Sequence, residues 1–257
     1  MVYEDVSVKL EQYGDVHSLT DRVDDLAEDP VLSDMSMLSG EQAAETLEMV
    51  TYGVIKGGTN VAYANGSART AVNTVVTRGL IRGAVRSLER NRAKRLTKML
   101  APSVNIGTKP IEGGFVAFCH TDLAHDIRNI DGFTPVVAYG SRQPLCDREF
   151  GSIEDVRFMT SPLFVPWIDI GGAKGSMLST TGTYADVYPI IITGEEAWGT
   201  CPLKGANAIS PIVLNPNTPT KSDPLGQIGF VGWKTYFAAV ILAEAWMIRL
   251  EVAATAL

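Results

Sequence analysis

The sequence predicts an α+β fold on three observations. Apolar residues recur at helical spacing in well-separated stretches, the region 133–220 is a series of short β-like runs between Pro and Gly, and no internal repeat of useful length is present. With 257 residues, 46 % of them hydrophobic, the chain is long enough to bury a sizeable core in one large domain or two interleaved ones.

Val2, Val6, Val8 and Leu10 alternate with Glu4, Ser7, Lys9 and Glu11, the period of a half-exposed strand, so the chain is expected to open extended. Thr20 or Asp21 can cap a short acidic turn, which Pro30 interrupts. Ser39 then precedes a helix in which Ala43, Ala44, Leu47, Val50 and Val54 share a side and which Gly57 and Gly58 end. Asn65-Gly66 marks a turn between strand-like runs at 60–64 and 71–76.

Thr77 is a good N-cap for a helix predicted over 78–100, whose buried stripe would be Ile81, Ala84, Val85, Leu88, Leu96 and Met99. A short buried strand at 115–119 and a helix at about 121–130 capped by Thr121 or Asp122 follow, then a turn at Asp131-Gly132. Further strands are expected at 156–159, 187–192 and 209–214, with 171–182 an exposed, flexible glycine-rich loop. Val240, Ile241, Ala245, Ile248 and Val252 are spaced as on a helix and predict a C-terminal helix over 234–254.

The net charge of −7 disfavours a simple nucleic-acid binder, yet it conceals an asymmetry. Residues 1–48 hold thirteen of the twenty-nine acidic residues against only Lys9 and Arg22, whereas residues 78–98 hold eight bases against Glu89 alone. Either these are solvated faces, or they are complementary surfaces that fix register between neighbouring copies. The longest apolar run, Tyr236 to Ala243, is far short of the roughly 20 residues needed to cross a bilayer. No basic and apolar leader opens the sequence, so a cytoplasmic protein without membrane contact is expected. Cys119, Cys146 and Cys201 include no CxxC pair and are read as reduced thiols.

Chemistry-bearing residues are few. Cys119, His120, Asp122, His125 and Asp126 lie close enough in sequence to suggest a zinc or iron site for a metal-dependent hydrolase, but they straddle a helix start and point in different directions. A second ligand group downstream with His17 is lacking, and helix capping is the simpler role. No GxSxG turn or HExxH helix is present; Gly171 to Ser176 has the wrong spacing for a phosphate loop, and Glu195-Glu196 suits a solvated turn. No catalytic residue, metal or cofactor is expected.

Four stretches carry a family resemblance by their order. They are Gln12-Tyr13-Gly14-Asp15 with Thr20-Asp21; Phe115 to Phe133; Glu149 to Phe158; and Asp223 to Gln227 followed by Gly232-Trp233-Lys234. Together, over nearly the whole chain, they resemble the major capsid proteins of tailed bacteriophages, in particular the N-four-like podovirus family.

The resemblance implies the Hong Kong 97-type fold, with residues 1–14 the returning half of an extended loop, 15–76 a peripheral domain holding a spine helix at about 40–57, 77–204 the axial domain, and 205–257 a return to the peripheral domain with the C-terminal helix. It places residue 1 after the N-terminal arm and the outgoing half of that loop. It also implies pentamers and hexamers of an icosahedral shell around double-stranded DNA, built in the host cytoplasm with portal and decoration or scaffold proteins. An encapsulin-like nanocompartment shell shares this fold and is the alternative. Candidate interface or DNA-facing residues are then Arg78, Arg82, Arg86, Arg90, Lys94 and Lys98, with Asp21, Asp24, Asp25 and Glu28 of opposite sign.

Overall fold

The computed structural model describes residues 5–26, 28–99, 110–140, 143–203 and 209–257. The chain divides into two compact units, Met1–Gly53 with Gly199–Val240, and Val54–Trp198 with Ile241–Leu257.

The first unit is built on a sheet in which β1 (Glu11–Thr20) and β10 (Ser210–Leu214) flank β11 (Ile228–Ile241), both antiparallel to it, and β9 (Trp198–Pro202) also pairs with β11. Alternation is clear on β11, where Val231, Trp233 and Thr235 are buried and Phe230, Lys234 and Tyr236 are exposed. After β1 come the acidic α1 (Asp21–Leu26) and the long α2 (Val31–Ile55). The Gln42 side chain of α2 ties to the sheet, donating to Asp15 Oδ2 at 2.5 Å and accepting from Trp233 Nε1 at 3.4 Å.

The second unit holds a mixed sheet in the order β2 (Val61–Tyr63), β12 (Met247–Ala253), β8 (Val187–Thr193), β4 (Pro110–Cys119), β7 (Val156–Thr160), β6 (Glu149–Ile153) and β5 (Phe133–Pro135). β3 (Leu96–Met99) pairs with the start of β4. β2 runs parallel to β12 and β4 parallel to β7, and the other pairs are antiparallel. Against it lie α3 (Arg78–Arg90) and α4 (Ala124–Arg128). Ile81, Ala84 and Leu88 of α3 join Phe115, Phe158, Ile190, Ile192 and Leu250 in one buried cluster. Each Ile, Leu or Phe side chain of the cluster, fully buried, contributes about 1.5–3 kcal/mol.

Several expectations are corrected. The opening strand lies at 11–20; residues 5–10 have no regular structure, and residues 1–4 lie outside the described residues. α2 begins at Val31 rather than after Ser39, because Pro30 starts the helix: its carbonyl accepts from Ser33 and Asp34. Residues 72–76 form no strand, since Asn65 captures the backbone there, donating to the Ala71 carbonyl and accepting from the Asn73 amide.

The helix predicted over 78–100 stops at Arg90. Arg92 adopts a left-handed conformation (φ 56), and the Ala93 and Arg92 amides close back onto the Leu88 and Glu89 carbonyls in a Schellman motif. Leu96 and Met99 therefore belong to β3, while Ala101-Pro102, the expected stop, lies outside the described residues.

The helix expected at 121–130 is shorter, a 3₁₀ turn at Thr121–Leu123 running into α4, and its cap is His120, whose Nδ1 accepts from the Asp122 amide at 3.1 Å.

The predicted C-terminal helix is instead β11 and β12. All seven β12 residues are buried, so both faces of the strand must be compatible with the interior and period-two alternation disappears. Arg249 and Glu251 satisfy this by pairing, Nε to Oε1 at 3.0 Å.

The loop 171–182 has no regular structure, as expected, but it is anchored rather than free. The buried Asp186 carboxylate accepts from the Asp169 and Thr180 amides and the Thr180 hydroxyl, and the Leu178 amide donates to Ala254.

Candidate functional site

Thr77 caps α3 as predicted, its hydroxyl accepting from the Leu80 amide at 3.3 Å. The amphipathic helix turns its apolar stripe inward, which leaves the basic residues outward. These do not form one equivalent row. Arg78 and Arg82 converge on a single carboxylate oxygen, Glu154 Oε1, at 2.7 and 2.6 Å from their Nη2 atoms. Glu154 and Asp155 form the two-residue turn of the β6–β7 hairpin, with Glu154 left-handed at φ 52. Hydrogen bonds from Arg82 and then Arg78 hold the Glu154 carboxyl down at about 2.

Arg95 grips the other turn residue, donating to Asp155 Oδ1 and Oδ2 at 3.1 Å and to Glu89 Oε1 at 2.6 Å. Lys94 meets Glu196 at 3.1 Å. Arg86 and Arg90 are exposed and have no carboxylate partner among the described residues. Lys98 falls on β3, and its side chain lies outside the described residues.

The acidic candidates sit on and just after α1. Asp21 lies at its start, and its Oδ1 accepts from the Arg22 amide at 2.7 Å; Asp24, Asp25 and Glu28 are exposed and meet no cation among the described residues.

Glu154, Asp155, Arg95 and Glu196 were not singled out from sequence as charge partners. A two-residue acidic gap between β-like runs at 149–153 and 156–160 was the available signal for a hairpin turn.

A second charged cluster was also missed. The indole of Trp167 has the Arg69 guanidinium 3.6 Å, Lys56 Nζ 4.2 Å and the Arg249 guanidinium 5.4 Å from its centroid. The fully buried Glu251 balances them, taking two 2.8 Å bonds from Arg69 and one from Arg249. Burial, then repulsion from Arg69 and Arg249, pushes Lys56 down to about 8.

The metal reading fails on geometry. His120 spends Nδ1 on its cap, His125 Nε2 lies 3.0 Å from Asn129 Nδ2, and Cys119 is buried. Asp126 accepts from the Thr255 amide and hydroxyl at 2.9 and 2.7 Å. Among the described residues no three His, Cys, Asp or Glu side chains converge as a metal site, and no helix is long and apolar enough to cross a membrane.

The phage capsid protein family matches residues 3–249, and the chain belongs to it. It is a major capsid protein, a component of the virion shell and not an enzyme. The chain is 23 % identical over 267 aligned residues to the major capsid protein of Pseudomonas phage KPP21, covering 96 % of this chain and 67 % of that relative.

Among solved structures, the capsid of Ralstonia phage GP4 matches with TM-score 0.71 at 11 % identity, over 96 % of this chain and 74 % of that one. The Cyanophage Pam1 capsid gives 0.63 at 12 %, over 96 % and 76 %. An encapsulin complex of Synechococcus elongatus gives 0.56 at 12 %, over 95 % and 74 %. These likenesses show the Hong Kong 97-type α+β fold, which phage capsids and encapsulins share; the family that matches this chain is that of phage capsid proteins.

Proposed function

We propose that the chain assembles with copies of itself into the pentamers and hexamers of an icosahedral shell enclosing double-stranded phage DNA. The observation that carries this reading is the capsid-family match over residues 3–249, which spans both units. The N-four-like podoviruses are the proposed branch, supported by the order of the four motif stretches.

We assign the first unit to the peripheral position and the mixed-sheet unit to the axial one, which moves residues 54–76 and 241–257 out of the peripheral domain expected from the resemblance. The peripheral position suits a long helix beside an extended sheet, and the axial position suits a broad core that presents loops. Residues 1–14 are the proposed returning half of the extended loop. Packaged DNA would be enclosed without sequence preference, and portal and decoration or scaffold proteins complete the set of partners.

Negative-stain electron microscopy with light scattering on the purified chain tests the reading. Closed particles, or pentamers and hexamers, are the expected result. Strictly monomeric protein would overturn it.

A further inference from the structure

The outer face of α3 carries a stripe whose cost is not recovered among the described residues of the subunit. Gly79, Gly83, Arg86 and Arg90 follow one another at spacings of 4, 3 and 4, which at 100° per residue places them within about 60° of arc, opposite Ala84 and Leu88. All four are exposed.

A Cβ built on Gly83 meets nothing within 4 Å, and one on Gly79 meets only Thr77 Oγ1 at 3.9 Å. Neither glycine has a left-handed φ. No packing among the described residues therefore requires them, although glycine inside a helix is less favourable than alanine. Arg82, Arg86 and Arg90 are like charges four apart, a repulsive arrangement. Glu154 relieves it at Arg82, and nothing among the described residues relieves it at Arg86 and Arg90.

Every paired cation of this stretch whose side chain is described takes a carboxylate: Arg78 and Arg82 take Glu154, Lys94 takes Glu196, and Arg95 takes Glu89 and Asp155. The chain also holds an acidic segment whose Asp24, Asp25 and Glu28 meet no cation among the described residues, and in it Asp21 and Asp25 repeat the one-turn spacing of Arg86 and Arg90.

We propose that this glycine-arginine face of α3 receives the acidic α1 segment of a second copy of the same chain. The glycines let the incoming backbone approach closely, and the two arginines pair with its carboxylates. This rests on the shell reading only in requiring that copies associate. A second copy fits better than DNA, because a chain of net charge −7 offers many carboxylates to a basic stripe and a repulsive overall field to a polyanion.

A charge swap tests it, with sedimentation velocity and electron microscopy on the full chain. Arg86→Glu with Arg90→Glu, and separately Asp21→Lys with Asp25→Lys, should each weaken association at least tenfold; all four substitutions in one chain should restore it. Gly83→Ala should raise the urea midpoint of the subunit and yet weaken association about fivefold.

Closed shells from both reversed variants would overturn the contact and leave the shell reading standing. Assemblies that follow the swap but never close would overturn the shell reading and leave the contact standing. Normal association of the arginine variant with lost retention of double-stranded DNA would assign the face to DNA, and failure of the four-fold combination to recover would exclude the pairing. Unchanged association of Gly83→Ala would remove the close approach from the proposal.

Discussion

Glu251 shows how much a single side chain can carry in the mixed-sheet unit. It is fully buried between Arg69 and Arg249, and Arg249 also donates to the carbonyls of Lys56 and Gly58, closing the chain after α2. Glu251→Gln would leave two guanidiniums facing a neutral amide; breaking a buried pair from one side costs about 3–5 kcal/mol, measurable by urea unfolding. Lys56 adds a pH signature. Its folded pKa of about 8 lies below the usual 10.5, so the unfolded chain binds more protons between those values. Stability should therefore rise with pH from about 8 to 10.5, by about 1 kcal/mol once the half-exposed position of the amine is discounted. Lys56→Met should flatten that rise in pH-dependent denaturation curves. Glu154 moves the opposite way: held near 2, it should stay ionised at pH 3 in a carboxyl NMR titration, and lose its interaction with Arg78 and Arg82 only as pH falls through about 2.

Among the elements, α3 separates what the residues announce from what only packing decides. Its cap, its start and its stripe of Ile81, Ala84 and Leu88 were legible because local spacing and burial agree. Its end was not, because the left-handed C′ position is filled by Arg92 instead of glycine and because Leu96 and Met99 happen to continue the helical period. Arg92→Gly should relieve that backbone and stabilise the unit by about 1 kcal/mol, read as a higher urea midpoint; a lower midpoint would mean the arginine side chain matters more than its φ. β12 was illegible for a different reason, since a strand buried on both faces loses its alternation. The motif stretches, by contrast, gain a physical account from their pairing. Gly14 lies opposite Lys234 and Val16 opposite Gly232 on adjacent strands, and a Cβ at Gly232 would sit 2.4 Å from the Asp15 carbonyl oxygen. Phe115 to Cys119 likewise runs parallel beside Val156 to Thr160. Of the candidate site, the charge signs could be read along the chain, but which arginines remain unmatched depended on the β6–β7 turn reaching back to α3.

At the scale of the whole molecule, two kinds of exposed surface among the described residues could meet another copy. One is the charged set on α1 and α3. The other is apolar: Val16 on β1, Ile212 on β10, and Phe230 and Tyr236 on β11 are exposed at 63, 45, 37 and 41 %. Val16 and Ile212 share a register position opposite Gly232, two residues from Phe230, so these side chains lie on one face of the sheet. The two surfaces respond differently to salt. Exposed ion pairs are screened over about 8–10 Å at 0.1–0.15 M ionic strength and weaken further above it, whereas sulfate strengthens apolar burial by exclusion from the protein surface. If charge pairing governs assembly, the critical concentration measured by light scattering should rise severalfold between about 0.05 and 0.5 M sodium chloride, and sodium sulfate at equal ionic strength should give a smaller rise. A critical concentration that falls in both salts would assign the governing contact to the apolar face of β1, β10 and β11. The α3 charge swap would then change the partner preference of assembling subunits more than their yield, because complementary charges set register where apolar area supplies the affinity.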